Sequence, residues 1–111
     1  MMDLAQKKCQ SCEGGIPPLT KPEAEKLLAQ VDDAWQINDA ATEIVRTFEF
    51  KGFYKTMAFV NAVAWIANKE LHHPDLQVSY NRCVITFTTH AIEGLSENDF
   101  ICARKVDQLM S

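Results

Sequence analysis

The sequence predicts an α+β fold, a four-stranded antiparallel sheet with helices packed on one face, in the order α-β-β-α-β-β-α. Three observations carry this. Apolar residues recur at helical spacing in three separate stretches, and between them stand two pairs of short runs in which apolar and polar residues alternate. Turn-forming residues, Asn38-Asp39 and Asn81-Arg82, divide each pair. Hairpins joined through helices build an antiparallel sheet with its helices gathered on one side. The 111 residues are sized for one domain with one core, and no repeat, low-complexity tract or second domain is visible.

Residues 1–19 read as an irregular arm, because Gly14-Gly15 and Pro17-Pro18 interrupt any regular pattern. Residues 20–111 form the domain. Thr20 and Glu23 have the spacing of a capping box, with Pro22 tolerated in the first turn where its missing N–H is not needed. Ala24, Leu27, Leu28 and Val31 then supply one helix face. Trp35 and Ile37 alternate with polar residues, and residues 44–50 form the partner strand of a hairpin. Ile44, Phe48 and Phe50 share one face of that strand, interrupted by Arg46, and Val45, Thr47 and Glu49 take the solvated face.

Gly52 breaks the strand, and the period turns helical from Phe53 to about Asn68. One stripe holds Phe53, Met57, Val60, Ala64 and Ala67, and a second holds Phe59, Val63 and Ile66. Such a helix is apolar over more of its circumference than one sheet covers, so either the first helix or another subunit covers the remainder. Val78 and Tyr80, then residues 83–89, give the second hairpin. Ser96, with Asp99 three residues on, marks the start of a last helix with Phe100, Ala103, Val106, Leu109 and Met110 on its apolar side.

Composition excludes several functions. At 47% hydrophobic and 23% charged the chain is neither disordered nor fibrous. Its net charge of −4, with both signs interspersed, offers no attraction to a phosphate backbone or an anionic bilayer, so neither nucleic acid nor membrane is an expected direct partner. The longest uncharged stretch, from Thr56 to Asn68, falls well short of the roughly 20 residues that span a bilayer. The first residues lack an apolar run of signal-peptide length, so a cytoplasmic location with reduced cysteines is expected. Cys9 and Cys12 have the gap of half a zinc site, but Cys83 and Cys102 stand far apart within apolar patterns and read as small core residues. No metal is therefore expected.

The three histidines are the candidates for chemistry. His72 and His73 precede Pro74, which biases His73 towards extended dihedrals, so the pair sits where the long helix ends. His90 follows Thr88-Thr89 at the end of the last strand. If the two hairpins are neighbours, all three reach one rim. Imidazole exchanges protons near neutral pH, and several at one rim suit a reaction that removes one proton and donates another, such as elimination of water. That reaction needs no metal, nucleotide or covalent nucleophile. A His-His-Pro turn is also a common surface feature, so spacing alone leaves an enzyme and a non-catalytic module equally open.

Four segments together, Glu70-Leu71-His72-His73-Pro74-Asp75, Tyr80-Asn81-Arg82, Thr88-Thr89-His90 and Gly94-Leu95-Ser96-Glu97-Asn98-Asp99, resemble the signature of pterin-4a-carbinolamine dehydratases, over about residues 20–109. The 98–103 stretch is more similar to bacterial members. The resemblance implies a cofactor-free dehydratase that converts 4a-hydroxytetrahydrobiopterin, or a related tetrahydropterin, to quinonoid dihydropterin and water, recycling the pterin of aromatic amino acid hydroxylases such as phenylalanine hydroxylase. It implies that His72, His73 and His90 surround the reacting carbon as acid, base or orienter. Leu71, Thr88 and Thr89 would shape the pterin pocket, and Asp99 would orient a histidine. Two positions depart from the pattern. Asn68 stands where many members carry a glutamate, so a carboxylate partner for His72 is either lost or supplied by Glu70, and Leu76 stands where some carry tryptophan. Family members form a dimer or a tetramer, which suits the apolar 53–68 helix. Animal members also bind a homeodomain transcription factor, which makes a protein-interaction module the alternative function.

Overall fold

The structure, a computed structural model, describes residues 3–10 and 16–110. Helix α1 (Lys21–Leu28) begins as its capping box dictates: Thr20 Oγ1 accepts from the Glu23 amide at 3.3 Å, and Glu23 Oε1 accepts from the Thr20 amide at 2.9 Å. Strand β1 (Gln36–Ile37) is only two residues long, because Asn38 folds the chain into a side-chain-braced loop. Asn38 Oδ1 accepts from the Thr42 and Glu43 amides at 2.8 and 3.1 Å. Strand β2 (Ile44–Glu49) follows, then helix α2 (Phe53–Glu70), strand β3 (Asp75–Val78), strand β4 (Arg82–Phe87) and helix α3 (Glu97–Asp107). All strand pairs are antiparallel, in the spatial order β1-β2-β4-β3. This is the α+β architecture the sequence predicts.

The central pair sets the sides of the sheet. Ile44 opposes Phe87, Arg46 opposes Ile85 and Phe48 opposes Cys83, so one face carries nearly every buried strand residue and takes the helices. Phe59 of α2 lies 4.6 Å from Phe48 between ring centroids, and Trp35 lies 5.9 Å from Phe87. Each such side chain contributes roughly 1.5–3 kcal/mol by burial. Arg46, the charge on the core face, is neutralised there. Its guanidinium reaches Asp107 Oδ1 at 2.7 Å, and the Trp35 indole N–H donates to the same oxygen at 2.7 Å. The guanidinium also covers the Phe48 ring at 4.3 Å.

Several expectations shift. Among its described residues the arm is irregular outside one short 3₁₀ turn, Leu4–Gln6 capped by Asp3, but it is packed down: Leu4 is buried, and Asp3 pairs with Arg104 at 3.2 Å. Helix α2 runs two residues beyond Asn68, and its second stripe faces the core, with Phe59 and Val63 buried. Strand β3 starts directly after Pro74, and Tyr80 falls in the exposed turn between β3 and β4. Phe50 lies beyond the end of β2 yet stays half-buried, 5.0 Å from Phe59. Leu109 and Met110 belong to a 3₁₀ turn after α3 and are exposed, because α3 has already brought its apolar side to an end at Val106. Cys83 and Cys102 are core residues, as their apolar context suggests.

Candidate active site

Two turns and the start of α3 build the site. Helix α2 ends at Leu71, which adopts left-handed dihedrals (φ 55, ψ 38) and donates its amide to the Ala67 and Asn68 carbonyls. The left-handed residue turns the chain sharply, so His72 and His73 leave the helix in different directions, and Pro74 carries it into β3. On the opposite side, Thr89 pairs with Gly94 in an isolated bridge, closing a loop whose 3₁₀ turn, His90–Ile92, presents His90. Ser96 and Asp99 cap α3 reciprocally, and this places Asp99 against the histidine turn.

His72 points inward. Its Nε2 lies 2.6 Å from Asp99 Oδ1, its side chain is 12% exposed, and its ring lies nearly parallel to Phe87. An ionised carboxylate only accepts, so Nε2 carries the proton. The second oxygen of Asp99 accepts from Thr89 Oγ1 at 2.8 Å and from the Ser96 amide at 3.0 Å. The carboxylate, fully buried, thus spreads its charge over three donors, and these fix the imidazole in turn. His73 and His90 face the mouth instead, with ring centroids 6.3 Å apart and planes 28° from parallel. His90 Nε2 stands 3.9 Å from Asp75 Oδ2, both well exposed, a contact worth little in water.

The structure therefore gathers all three histidines at one place, split into an enclosed one and an exposed pair. A cleft of about 380 Å³ opens between them, with Thr88, Cys9 and Asn98 among its walls. A second, apolar recess of about 510 Å³ flanks the other side of His72 and His73, walled by Val63, Ala67, Pro74 and Leu76. Asn68 borders this recess. The remaining predicted residues differ in what they offer. Thr88 Oγ1 donates to the Thr42 carbonyl at 2.6 Å, Thr89 is buried with its hydroxyl committed to Asp99 and Ser96, and Leu71 is exposed on the rim.

Glu70 does not serve His72. Its carboxylate accepts from the Cys9 amide at 3.0 Å and from Lys105 Nζ at 2.9 Å. Burial pushes this carboxyl up, but the Cys9 amide and Lys105 outweigh it and hold Glu70 below the ordinary carboxylate range. Asn98 grips the arm as well: its Oδ1 accepts from the Gln10 amide at 2.9 Å, and its Nδ2 donates to the Gln10 carbonyl at 2.6 Å. Cys9 and Gln10 thereby become part of the cleft wall. Sequence reasoning missed this contact, since neither an arm residue nor the second residue of a helix signals a partner 88 positions away. Cys9 Sγ lies 3.5 Å from Cys102 Sγ. Cys12, the other half of the zinc spacing, lies outside the described residues. Among the described residues no group of three or more His, Cys, Asp or Glu side chains converges as a metal site.

Comparison with known proteins gives a concordant picture. The family model for pterin 4 alpha carbinolamine dehydratase matches residues 17–109. A protein of Nitrosomonas eutropha, named provisionally as a pterin-4-alpha-carbinolamine dehydratase, is 62% identical over 108 residues, covering 97% of this chain and 94% of its own. A Legionella pneumophila protein with the same provisional name is 53% identical over 97% of this chain and 96% of its own. The crystal structure of a Brucella melitensis transcriptional coactivator/pterin dehydratase superposes with a TM-score of 0.79 at 35% identity, covering 85% of this chain and 99% of that one. A pterin dehydratase-like protein described as a RuBisCO assembly factor shares the fold at TM-score 0.59 and 22% identity, over 68% of this chain and 88% of its own. On the extent of the family match and the identity to these relatives, the chain belongs to the pterin-4-alpha-carbinolamine dehydratase family.

Proposed function

We propose that this protein dehydrates a 4a-hydroxytetrahydropterin to the quinonoid dihydropterin and water. The observation that carries the reading is the placement of His73 and His90, face to face at the mouth of a cleft whose inner wall is His72 held by Asp99. In the reaction a base removes the proton on N5, the N5–C4a double bond forms, and the C4a hydroxyl leaves as water after an acid protonates it. Two facing imidazoles divide these tasks, one accepting while the other donates, and they exchange protons with solvent between turnovers because both are exposed. Held through Nε2, His72 orients the substrate from within. Asp99 and Thr89 are positioning residues. The pterin ring lies across the His72-His73 turn, its polar edge towards the cleft wall and its saturated side towards the apolar recess.

A coupled assay following decay of a 4a-hydroxytetrahydropterin tests this. The protein accelerates the decay, and His73→Ala combined with His90→Ala removes about 10²–10⁴-fold of that acceleration. No acceleration, or full acceleration by the double variant, overturns the proposal. In the cell the product would return to an aromatic amino acid hydroxylase, phenylalanine hydroxylase above all, with the enzyme in the cytoplasm. Among the described residues no helix is long and apolar enough to cross a membrane.

A second reading, a protein-interaction module, draws on the exposed aromatic residues of α2, Phe53, Tyr54 and Trp65, and on the coactivator role named for the Brucella melitensis protein. The same face would hold the homodimer or homotetramer in which the enzyme works. The double histidine variant separates the two readings, since it leaves this face untouched.

A further inference from the structure

The arm, the thiols of Cys9 and Cys102, and the backbone of the histidine turn meet at one edge of the cleft, and the dehydration gives neither thiol a part. Cys9 is half-buried and forms part of the cleft wall, so a small solute reaches it, whereas Cys102 is fully buried in α3. Their sulfurs are 3.5 Å apart, and a bridge needs closure only to roughly 2.0 Å. Cys102 Sγ also stands 3.9 Å from the His72 carbonyl oxygen. The arm that carries Cys9 lies outside the residues matched by the family model, 17–109. The arm is otherwise held by the buried Leu4 and by polar links to α3, Asp3 to Arg104, Lys7 to Glu97 and Gln10 to Asn98.

We propose that Cys9 and Cys102 are a reversible disulfide site, which under oxidation clips the N-terminal arm to α3 as a fixed wall of the cleft. With a hydroperoxide as oxidant, the Cys9 thiol takes one oxygen, giving the sulfenic acid and an alcohol or water. Cys102 then attacks the Cys9 sulfur, the S–O bond breaks, water leaves with the Cys102 proton, and the S–S bond forms. Each sulfur loses one electron, and the peroxide takes up two. The order follows from access: Cys9 lines the cleft and meets the oxidant first, whereas the hydrogen bond with Cys9, burial, and the nearby carboxylates of Glu70 and Asp99 push the Cys102 thiol up and keep it from reacting with the oxidant itself. Reduction by a dithiol restores both thiols.

The experiment treats the full chain with stoichiometric hydrogen peroxide, then maps peptides and measures melting with and without dithiothreitol. The expected result is a Cys9–Cys102 link, reversible by dithiothreitol, with the melting temperature raised by roughly 10 °C, because the bridge joins residues 93 apart. Cys9→Ser abolishes the link, and Cys12→Ser preserves it. A bridge between Cys9 and Cys12, irreversible oxidation of Cys9 without a bridge, or a link that leaves melting unchanged overturns the proposal. None of these readouts depends on pterin chemistry, so the outcome stands apart from that of the dehydratase assay.

Discussion

Asp99 holds more of the site in place than its one-residue share of the sequence suggests. Three donors meet on its buried carboxylate, from His72, Thr89 and Ser96. Asp99→Asn keeps the shape but puts an NH₂ group where an oxygen accepted, leaving one buried donor unpaired. We expect a loss of about 1–3 kcal/mol in chemical denaturation, and a fall in kcat of about 10²-fold with KM nearly unchanged. Glu70 makes a second prediction. Its carboxyl is held below the ordinary value near 4.5, so its stabilisation is complete above that value and is lost as pH falls through the lower folded value. Glu70→Gln should cost about 1–2 kcal/mol at neutral pH. The loss should shrink as melts are repeated at progressively lower pH, once the pH has fallen through the parent's lowered folded value. At this scale the histidines and Asp99 were legible because their residue types and spacing form a recognisable pattern. Cys9, Glu70 and Asn98 were not, because their roles exist only once a distant segment lies against them.

Helix ends decide where the chemistry points. The capping boxes of α1 and α3 were readable as Ser or Thr followed three residues later by an acid. The end of α2 was marked by His72-His73-Pro74, but its left-handed turn was not readable, because the terminating residue is a leucine rather than glycine. Leu71 holds φ 55 with its side chain exposed, so it bears backbone strain and buries almost nothing in return. Leu71→Gly should raise unfolding stability by about 0.5–1 kcal/mol. It should also loosen the His72-His73 turn, seen as lower turnover with a higher melting temperature. Strand β3 was expected around Val78 and Tyr80 but lies earlier, at Asp75–Val78, where only Leu76 and Val78 mark it and it follows a proline directly. Its pairing with β4, Leu76 opposite Ile85, supplies what propensity does not.

The whole molecule leaves part of its longest helix unpartnered. Tyr54 is 86% exposed and Trp65 is 67% exposed, both on the side of α2 away from the sheet. If the chain assembles as proposed, this face is where the contact is expected. Trp65→Glu should lower the mass measured by light scattering while leaving the thermal melt of the dissociated chain within about 0.5 kcal/mol of the parent. An unchanged mass removes this face from the assembly. The apolar excess of the helix was legible from composition, but which stripe stays outside was not, since Phe59 and Val63 are as apolar as Trp65 and only packing on Phe48 chooses between them. The role of α3 as an anchor has a consequence for biosynthesis. Asp99, Asn98, Arg104 and Asp107 receive partners from the arm, the first hairpin and the histidine turn, at separations of 27 to 101 residues. A nascent chain can form α1 and the first hairpin early, but nothing ties them to the arm or seats His72 until residues through Asp107 have left the ribosome. The cleft therefore waits on contacts between the two ends of the chain, and the loop-closure entropy of such long-range contacts falls on the assembly of the site itself.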